Sequence, residues 1–412
     1  MNKSPRLVAL ETLYSIFYDG SYSNIALDKA LSDIKENKAF ISALVYGVTE
    51  RKITLDYFID KYAQGRIKPK VRIVLWLGAY QLLFMDKVPS SASINESVKL
   101  VKEIKQDYYS KLVNAVLHKI DNDRQIPDDL SVKYSVPENL INMWKKQYGE
   151  DVLNEFLPCI NDKPPLFAIP NKKFVNSDEL LYELECDGIL GEAYDEFVLI
   201  ENANDLTDSK AFKNGLFYIE DLSSFNCANA LDALGDDLVL DMCSAPGGKA
   251  FTISQSMNNS GKIYCYDLHE HRLNLIKNSA KRLSIDNIYT EVNDATVYNE
   301  NIPKADKILC DVPCSGFGII RRKPEIRYKD LDSVKDLPQI QYKILETSSR
   351  YLKDGGRIIY STCTLNKKEN ENVVNKFLKD HSGYKLLKDK TVFPSTVGGD
   401  GFYYAIMVKN EN

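Results

Sequence analysis

The sequence predicts a multidomain chain of three parts. These are an all-α domain over residues 1–125, a linker and small α+β module over 126–232, and a doubly wound α/β domain over 233–412. Three observations carry this reading. Apolar residues in the first 120 positions recur at helical spacing, with no strand-like run among them. A polar stretch with two prolines follows at 121–137. From about residue 236, short apolar runs alternate with amphipathic stretches, the pattern of a parallel sheet covered by helices. A length of 412 residues suits two or three domains of ~150 residues.

In the first part, Leu7, Leu10, Leu13, Ile16 and Phe17 share one helical face, and Ile41, Leu44 and Val45 begin another. Residues 71–84 are apolar nearly all round, as in the central helix of a bundle, and 91–104 and 108–120 continue the pattern. Beyond the linker, a helix is expected around 138–156, then short apolar runs at 166–169 and 197–200 separated by turn residues. In the last part, strands are expected at 238–240, 262–266, 307–309 and 357–360, with helices at 249–257, 270–283 and 340–352 between them. Ligands of such Rossmann-like sheets sit beyond the carboxyl ends of the strands.

Composition narrows the class. A hydrophobic fraction of 44% and a charged fraction of 27% exclude disorder, collagen and a coiled-coil rod as the main state. The longest uncharged apolar run, 73–85, is too short to span a bilayer, and the start lacks a secretory signal, so a cytoplasmic protein without a membrane partner is expected. The eight cysteines form no CxxC pair, which points away from a zinc site or a disulfide scaffold. Net charge is −5, yet residues 1–120 carry 18 Lys+Arg against 12 Asp+Glu. Two basic runs, Arg66, Lys68, Lys70 and Arg72, and Arg321, Arg322, Lys323, Arg327 and Lys329, make an anionic partner such as RNA plausible.

The chemistry is concentrated at the expected strand ends. After the first strand come Asp241 and Met242, then Cys243, Ser244, Ala245, Pro246, Gly247, Gly248 and Lys249, opening a helix. The glycines let backbone approach a ligand, and the helix start offers free N–H groups. The segment is neither GxGxxG nor a P-loop, so NAD and ATP are not expected. Asp267 ends the second strand nineteen positions after Gly248, where an acid accepts hydrogen bonds from ribose hydroxyls. The pair suits an adenosine ligand such as S-adenosylmethionine, with Asp294 near its adenine. His269 and His271 read as surface residues, and no metal is expected. The two remaining strand ends carry Asp311-Val-Pro-Cys314-Ser-Gly316 and Tyr360-Ser-Thr-Cys363. Two cysteines meeting at one cleft point to a thiolate that attacks carbon 6 of a pyrimidine and makes carbon 5 nucleophilic toward a methyl donor.

These motifs, in this order and with Ser361-Thr-Cys-Thr364 and Gly399-Asp-Gly-Phe402, resemble those of the Nop/Sun family of RNA 5-methylcytosine methyltransferases. The first 120 residues are similar to NusB domains at Tyr46-Gly-Val48, Leu77-Gly-Ala-Tyr-Gln-Leu-Leu83 and Leu112-Val-Asn-Ala-Val-Leu117. The combination is typical of members that methylate cytosine 967 of 16S rRNA. The resemblance implies that residues 243–249, Asp267, Asp294 and Asp311 bind or border S-adenosylmethionine, that Cys363 is the nucleophile and that Cys314 helps release the product. It also implies an rRNA partner met before subunit assembly; a monomer is expected. Two departures stand out. Phe317 replaces the family's usual Thr, and Ile169-Pro170-Asn171 replaces Arg-Val-Asn. Other readings remain open: tRNA as target, a DNA-type mechanism in which Cys314 attacks, or an RNA-binding assembly factor without turnover.

Overall fold

The computed structural model describes residues 3–202, 206–394 and 398–411. The chain divides into two compact units, Met1–Asp162 with Ile320–Leu331, and Lys163–Ile319 with Asp332–Asn412.

The first unit is helical. Pro5–Tyr18, Ser23–Leu31, Lys38–Tyr62, Pro69–Phe84, Ser90–Glu103 and Ser110–Asn122 form the expected bundle. The helix Pro69–Phe84 lies at its centre, with Val71, Ile73, Val74, Leu75 and Leu77 all buried. Its proline occupies the first turn, where a missing N–H costs nothing. Residues 121–137, expected as a linker, instead pack onto this unit. They include a short helix, Leu130–Tyr134, and a buried Ser135 whose hydroxyl accepts the Ile53 N–H at 2.9 Å. The helices Glu138–Tyr148 and Glu150–Phe156 join the same unit, so the middle segment is divided between the two.

The second unit holds two sheets. The small α+β module is an antiparallel four-stranded sheet in the order β2-β3-β1-β4. Its strands are β1 (Leu166–Pro170), β2 (Gly191–Ala193), β3 (Val198–Ile200) and β4 (Phe217–Ile219). Its main helix, Ser177–Cys186, starts with a reciprocal cap between Asn176 and Glu179. The larger sheet comprises β5 (Leu238–Asp241), β6 (Lys262–Asp267), β7 (Ile288–Val292), β8 (Ala305–Asp311), β9 (Leu352–Thr362), β10 (Tyr384–Val392) and β11 (Phe402–Lys409). Their order is β10-β11-β9-β8-β5-β6-β7. Strands β5 to β9 pair in parallel, as expected, but β11 runs antiparallel between β9 and β10, so the sheet is mixed. The order reverses at β5 and β8. That reversal opens a crevice at the carboxyl ends.

Candidate active site

The crevice begins where β5 ends at Asp241. The chain turns through residues 243–247 into the helix Gly248–Ser256, and the Ser244 N–H donates to Tyr266 O at 2.8 Å, anchoring the turn to β6. Gly247 has φ +109°, and a Cβ there would come within 2.9 Å of the Phe251 ring. Only glycine suits that geometry. A cavity of about 370 Å³ is lined by Glu220, Asp241, Cys243, Pro246, Lys249 and Asp311, among others.

Its electrostatics are unusual. Asp241 is buried, and only the nearby Ser244 hydroxyl and Cys243 N–H approach its carboxylate, without well-formed hydrogen bonds. Burial raises Asp241 to about 7. Glu220 is buried beside it, accepts from Thr252 Oγ1 at 2.6 Å, and is raised by burial to about 7. Lys249 Nζ lies 2.8 Å from Asp311 Oδ2. Burial acts to lower this lysine, but Asp311 and Glu220 outweigh it and hold the ammonium charged. Four carboxyl groups, Glu220, Asp221, Asp241 and Asp311, against Lys249 and Arg282 suit a cationic ligand. The sulfonium and amino groups of S-adenosylmethionine meet that requirement, and Asp241 and Ser244 have acceptor capacity to spare.

Asp267 stands at the end of β6 as expected, almost fully buried, but its carboxylate is already engaged. It accepts from His269 N–H at 3.0 Å and pairs with Arg272 at 2.9 Å. Arg272 also donates to Ala245 O at 2.7 Å, tying the end of β6 to the glycine turn. Asp294 is exposed beyond β7 and accepts from the Thr296 N–H and hydroxyl. It lines a neighbouring cavity with Leu268, Val292 and Val297, not the cavity of Lys249. No group of three metal-binding side chains occurs among the described residues.

The two cysteines meet. Strands β8 and β9 are adjacent and parallel with Asp311 opposite Ser361, so the loops that follow run side by side. Cys314 Sγ lies 3.3 Å from Cys363 Sγ, both half-buried and both free thiols. The Cys363 thiol and then burial push Cys314 well above the usual thiol range. Asp311 Oδ1 accepts from Ser361 Oγ at 2.8 Å while its other oxygen holds Lys249, so one carboxylate joins the thiol pair to the cofactor cleft. The Gly318 N–H donates to Cys363 O at 3.0 Å, and the Gly401 N–H to Gly318 O at 2.9 Å. A Cβ on Gly318 would fall 1.9 Å from Gly401 O, so glycine is required where the two backbones touch. Phe317 is fully buried, its N–H donating to Thr364 Oγ1. Asn171 is a buried fastener, donating to Gly215 O and Leu283 O.

The basic runs fare unevenly. Arg66, Lys68 and Lys70 are exposed at the start of the bundle's central helix. Arg72 is paired with Asp56 at 2.7 Å and Asp60 at 2.8 Å. Arg327, expected on an RNA-gripping loop, is instead 1% exposed. Its guanidinium donates to Glu50 O and Asn161 Oδ1, each at 2.9 Å, and burial lowers its pKa. Arg321 is buried as well, and Arg322 and Lys323 are half-buried. The 320–331 segment belongs to the helical unit, and carbonyl oxygens there take the charge that a phosphate was expected to take.

Residues 228–408 match the family described as 16S rRNA methyltransferase RsmB/F, and residues 3–122 match the NusB family. A probable ribosomal RNA small subunit methyltransferase B of Bacillus subtilis (strain 168) is 33% identical, covering 98% of this chain and 99% of its own. The chain belongs to the RsmB/F methyltransferases. The corresponding protein of Photorhabdus laumondii is 28% identical over 98% of both chains. NSun6 from Pyrococcus horikoshii, solved with SFG, shares the fold at 21% identity and a TM-score of 0.61, covering 67% of this chain and 99% of its own.

As an RsmB/F enzyme the chain is an RNA methyltransferase that uses S-adenosylmethionine. From the sequence, residues 243–249, Asp311, Cys314 and Cys363 were expected at the site, but several groups around them were not. Glu220, Asp241, Arg272 and Glu369 were not singled out. Asp241 opened the glycine motif and could have been; Glu220 adjoins Asp221 in a segment of weak periodicity, with no signal to mark it. Among the described residues no helix is long and apolar enough to cross a membrane.

Proposed function

We propose that this enzyme methylates carbon 5 of a cytosine in small-subunit ribosomal RNA, position 967 of 16S rRNA, through a covalent bond between Cys363 and carbon 6. The observation that carries the reading is the thiol pair at 3.3 Å, joined by Asp311 to Lys249 and the cofactor cleft. S-adenosylmethionine supplies an electrophilic methyl group. Cys363 adds to carbon 6, while Asp311, oriented by Ser361 and Lys249, meets the ring nitrogen as charge develops. Once methylated, carbon 5 loses its proton, the bond to Cys363 breaks, and Cys314 assists that elimination. The target base must be unpaired or flipped out, because carbon 6 is shielded within a helix. The name of the Bacillus relative supports rRNA as substrate; on this reading a monomeric enzyme meets it in the cytoplasm before subunit assembly. Bisulfite sequencing of RNA from cells with and without the gene tests this. Loss of the mark at position 967 is expected; loss of a tRNA mark alone would reassign the target.

Two further results are expected. Cation binding favours ionised Asp241 and Glu220, so donor binding releases protons and affinity rises with pH through about 7, by up to about tenfold per pH unit for each proton released. Calorimetry should show Asp241→Asn flattening that dependence. Asp267→Ala, which removes a ribose partner, should weaken binding by about 5–150-fold, or about 1–3 kcal/mol.

For RNA, replacing Arg66, Lys68 and Lys70 together should lower the salt slope of binding by up to about 0.7–0.9 per lost phosphate contact. Arg327→Ala should leave that slope unchanged and lower thermal stability instead, since it orphans buried carbonyls. Salt titrations and melting curves of the intact chain separate the two.

A further inference from the structure

Two chemically identical thiols stand 3.3 Å apart, yet the reaction requires them to act differently. Their surroundings distinguish them. Glu369 is fully buried, and its carboxylate accepts from the Ser315 N–H at 2.9 Å, Ser315 Oγ at 2.6 Å, Gln341 Nε2 at 3.0 Å and Asn366 Nδ2 at 2.9 Å. Gln341 Nε2 also donates to Pro313 O at 2.9 Å. The residues on both sides of Cys314 are therefore held through one carboxylate. The clamp reaches the partner loop as well, because Ser315 Oγ lies 2.7 Å from Thr364 Oγ1, next to Cys363.

We propose that Glu369 is the positioning residue that assigns the two thiols their roles, its carboxylate clamping the Cys314 loop through Ser315 and Gln341 and leaving Cys363 as the attacking thiol. This rests on the cysteine-adduct reading above. The groups facing Cys314 agree with it. Cys363, Glu369 and Asp311 all disfavour a negative charge on Cys314, and Lys249 is already paired with Asp311. Four hydrogen-bond donations converge on this carboxylate and fix it in place beside the Cys314 loop.

The test labels each thiol in the intact enzyme with iodoacetamide over a range of pH and quantifies the modified peptides by mass spectrometry. In the wild type Cys363 should react at least about tenfold faster than Cys314 near neutral pH. In Glu369→Gln the ratio should fall toward one because Cys314 becomes reactive at lower pH. Donor affinity, measured in parallel, should change less than about twofold. A loop that had merely loosened would speed Cys314 labelling equally at every pH, whereas loss of the charge moves its pH profile to lower values. An unchanged ratio in a variant that still binds donor overturns the proposal. So does a wild-type enzyme whose Cys314 reacts as fast as Cys363, which decides the matter even if Glu369→Gln fails to fold. Labelling needs neither RNA nor turnover, so an error in the proposed RNA target would leave this result standing.

Discussion

Cys363→Ala should abolish methyl transfer together with any protein–RNA adduct, while Cys314→Ala should accumulate an adduct that survives denaturing electrophoresis. The asymmetry follows from order in the reaction. Without the Cys363 thiolate, carbon 5 never becomes nucleophilic, and the rate should fall by at least about 10⁴-fold, about 5 kcal/mol of barrier. Without Cys314 the attack and the methylation proceed, but the elimination that frees Cys363 loses its helper. The 3.3 Å separation makes this division of labour geometrically possible, since it puts both thiols within the span of a single base. An adduct persisting in Cys363→Ala and missing in Cys314→Ala would exchange the roles and indicate the DNA-type mechanism. Methylation of DNA oligonucleotides would then be the decisive assay.

The second large effect belongs to Lys249. Its ammonium sits among Asp311, Glu220 and Asp241, and Lys249→Met leaves their carboxyl groups without the cation that pairs with Asp311. Removing one partner of a buried ion pair costs about 3–5 kcal/mol. The sign of its pH dependence is fixed. Glu220 and Asp241 are raised to about 7 in the folded protein, so they keep protons that the unfolded chain has already released. Stability through these groups is therefore greatest below about 4 and falls as pH rises toward 7. Loss of Lys249 steepens that fall, so the variant's melting-temperature deficit should be larger at pH 8 than at pH 6. An equal deficit at both would mean that the lysine is not what neutralises the cavity. Donor binding, by contrast, brings positive charge back and should recover part of the lost stability.

Much of the fold was legible because its signals are local. The bundle's central helix announces itself by an apolar run with proline at its first turn, and the glycine turn by residues that tolerate a left-handed backbone. Cys314 and Cys363 were found because each stands a few residues past an apolar strand run. The edge strands were not legible. In β10, Tyr-Lys-Leu-Leu-Lys-Asp-Lys-Thr-Val is largely charged and exposed, which masks the pairing with β11 that makes it a strand. In β7 both faces remain partly open, so the alternation is weak.

By itself, then, the sequence determined the family, the reaction class and the cofactor, because each rests on residue types at short spacing. Tertiary structure decided which charges are spent inside the protein and which remain available. Arg321–Lys329 reads as a basic surface run whether its arginines face water or backbone carbonyls; only packing puts Arg327 on Glu50 O and Asn161. Glu369 is one acid in an acidic, polar stretch until folding brings Ser315 and Gln341 to it from 54 and 28 residues away. Burial and hydrogen-bond partnership belong to segments that are distant in the chain. A titration shift or a clamp built from them has no counterpart in local spacing.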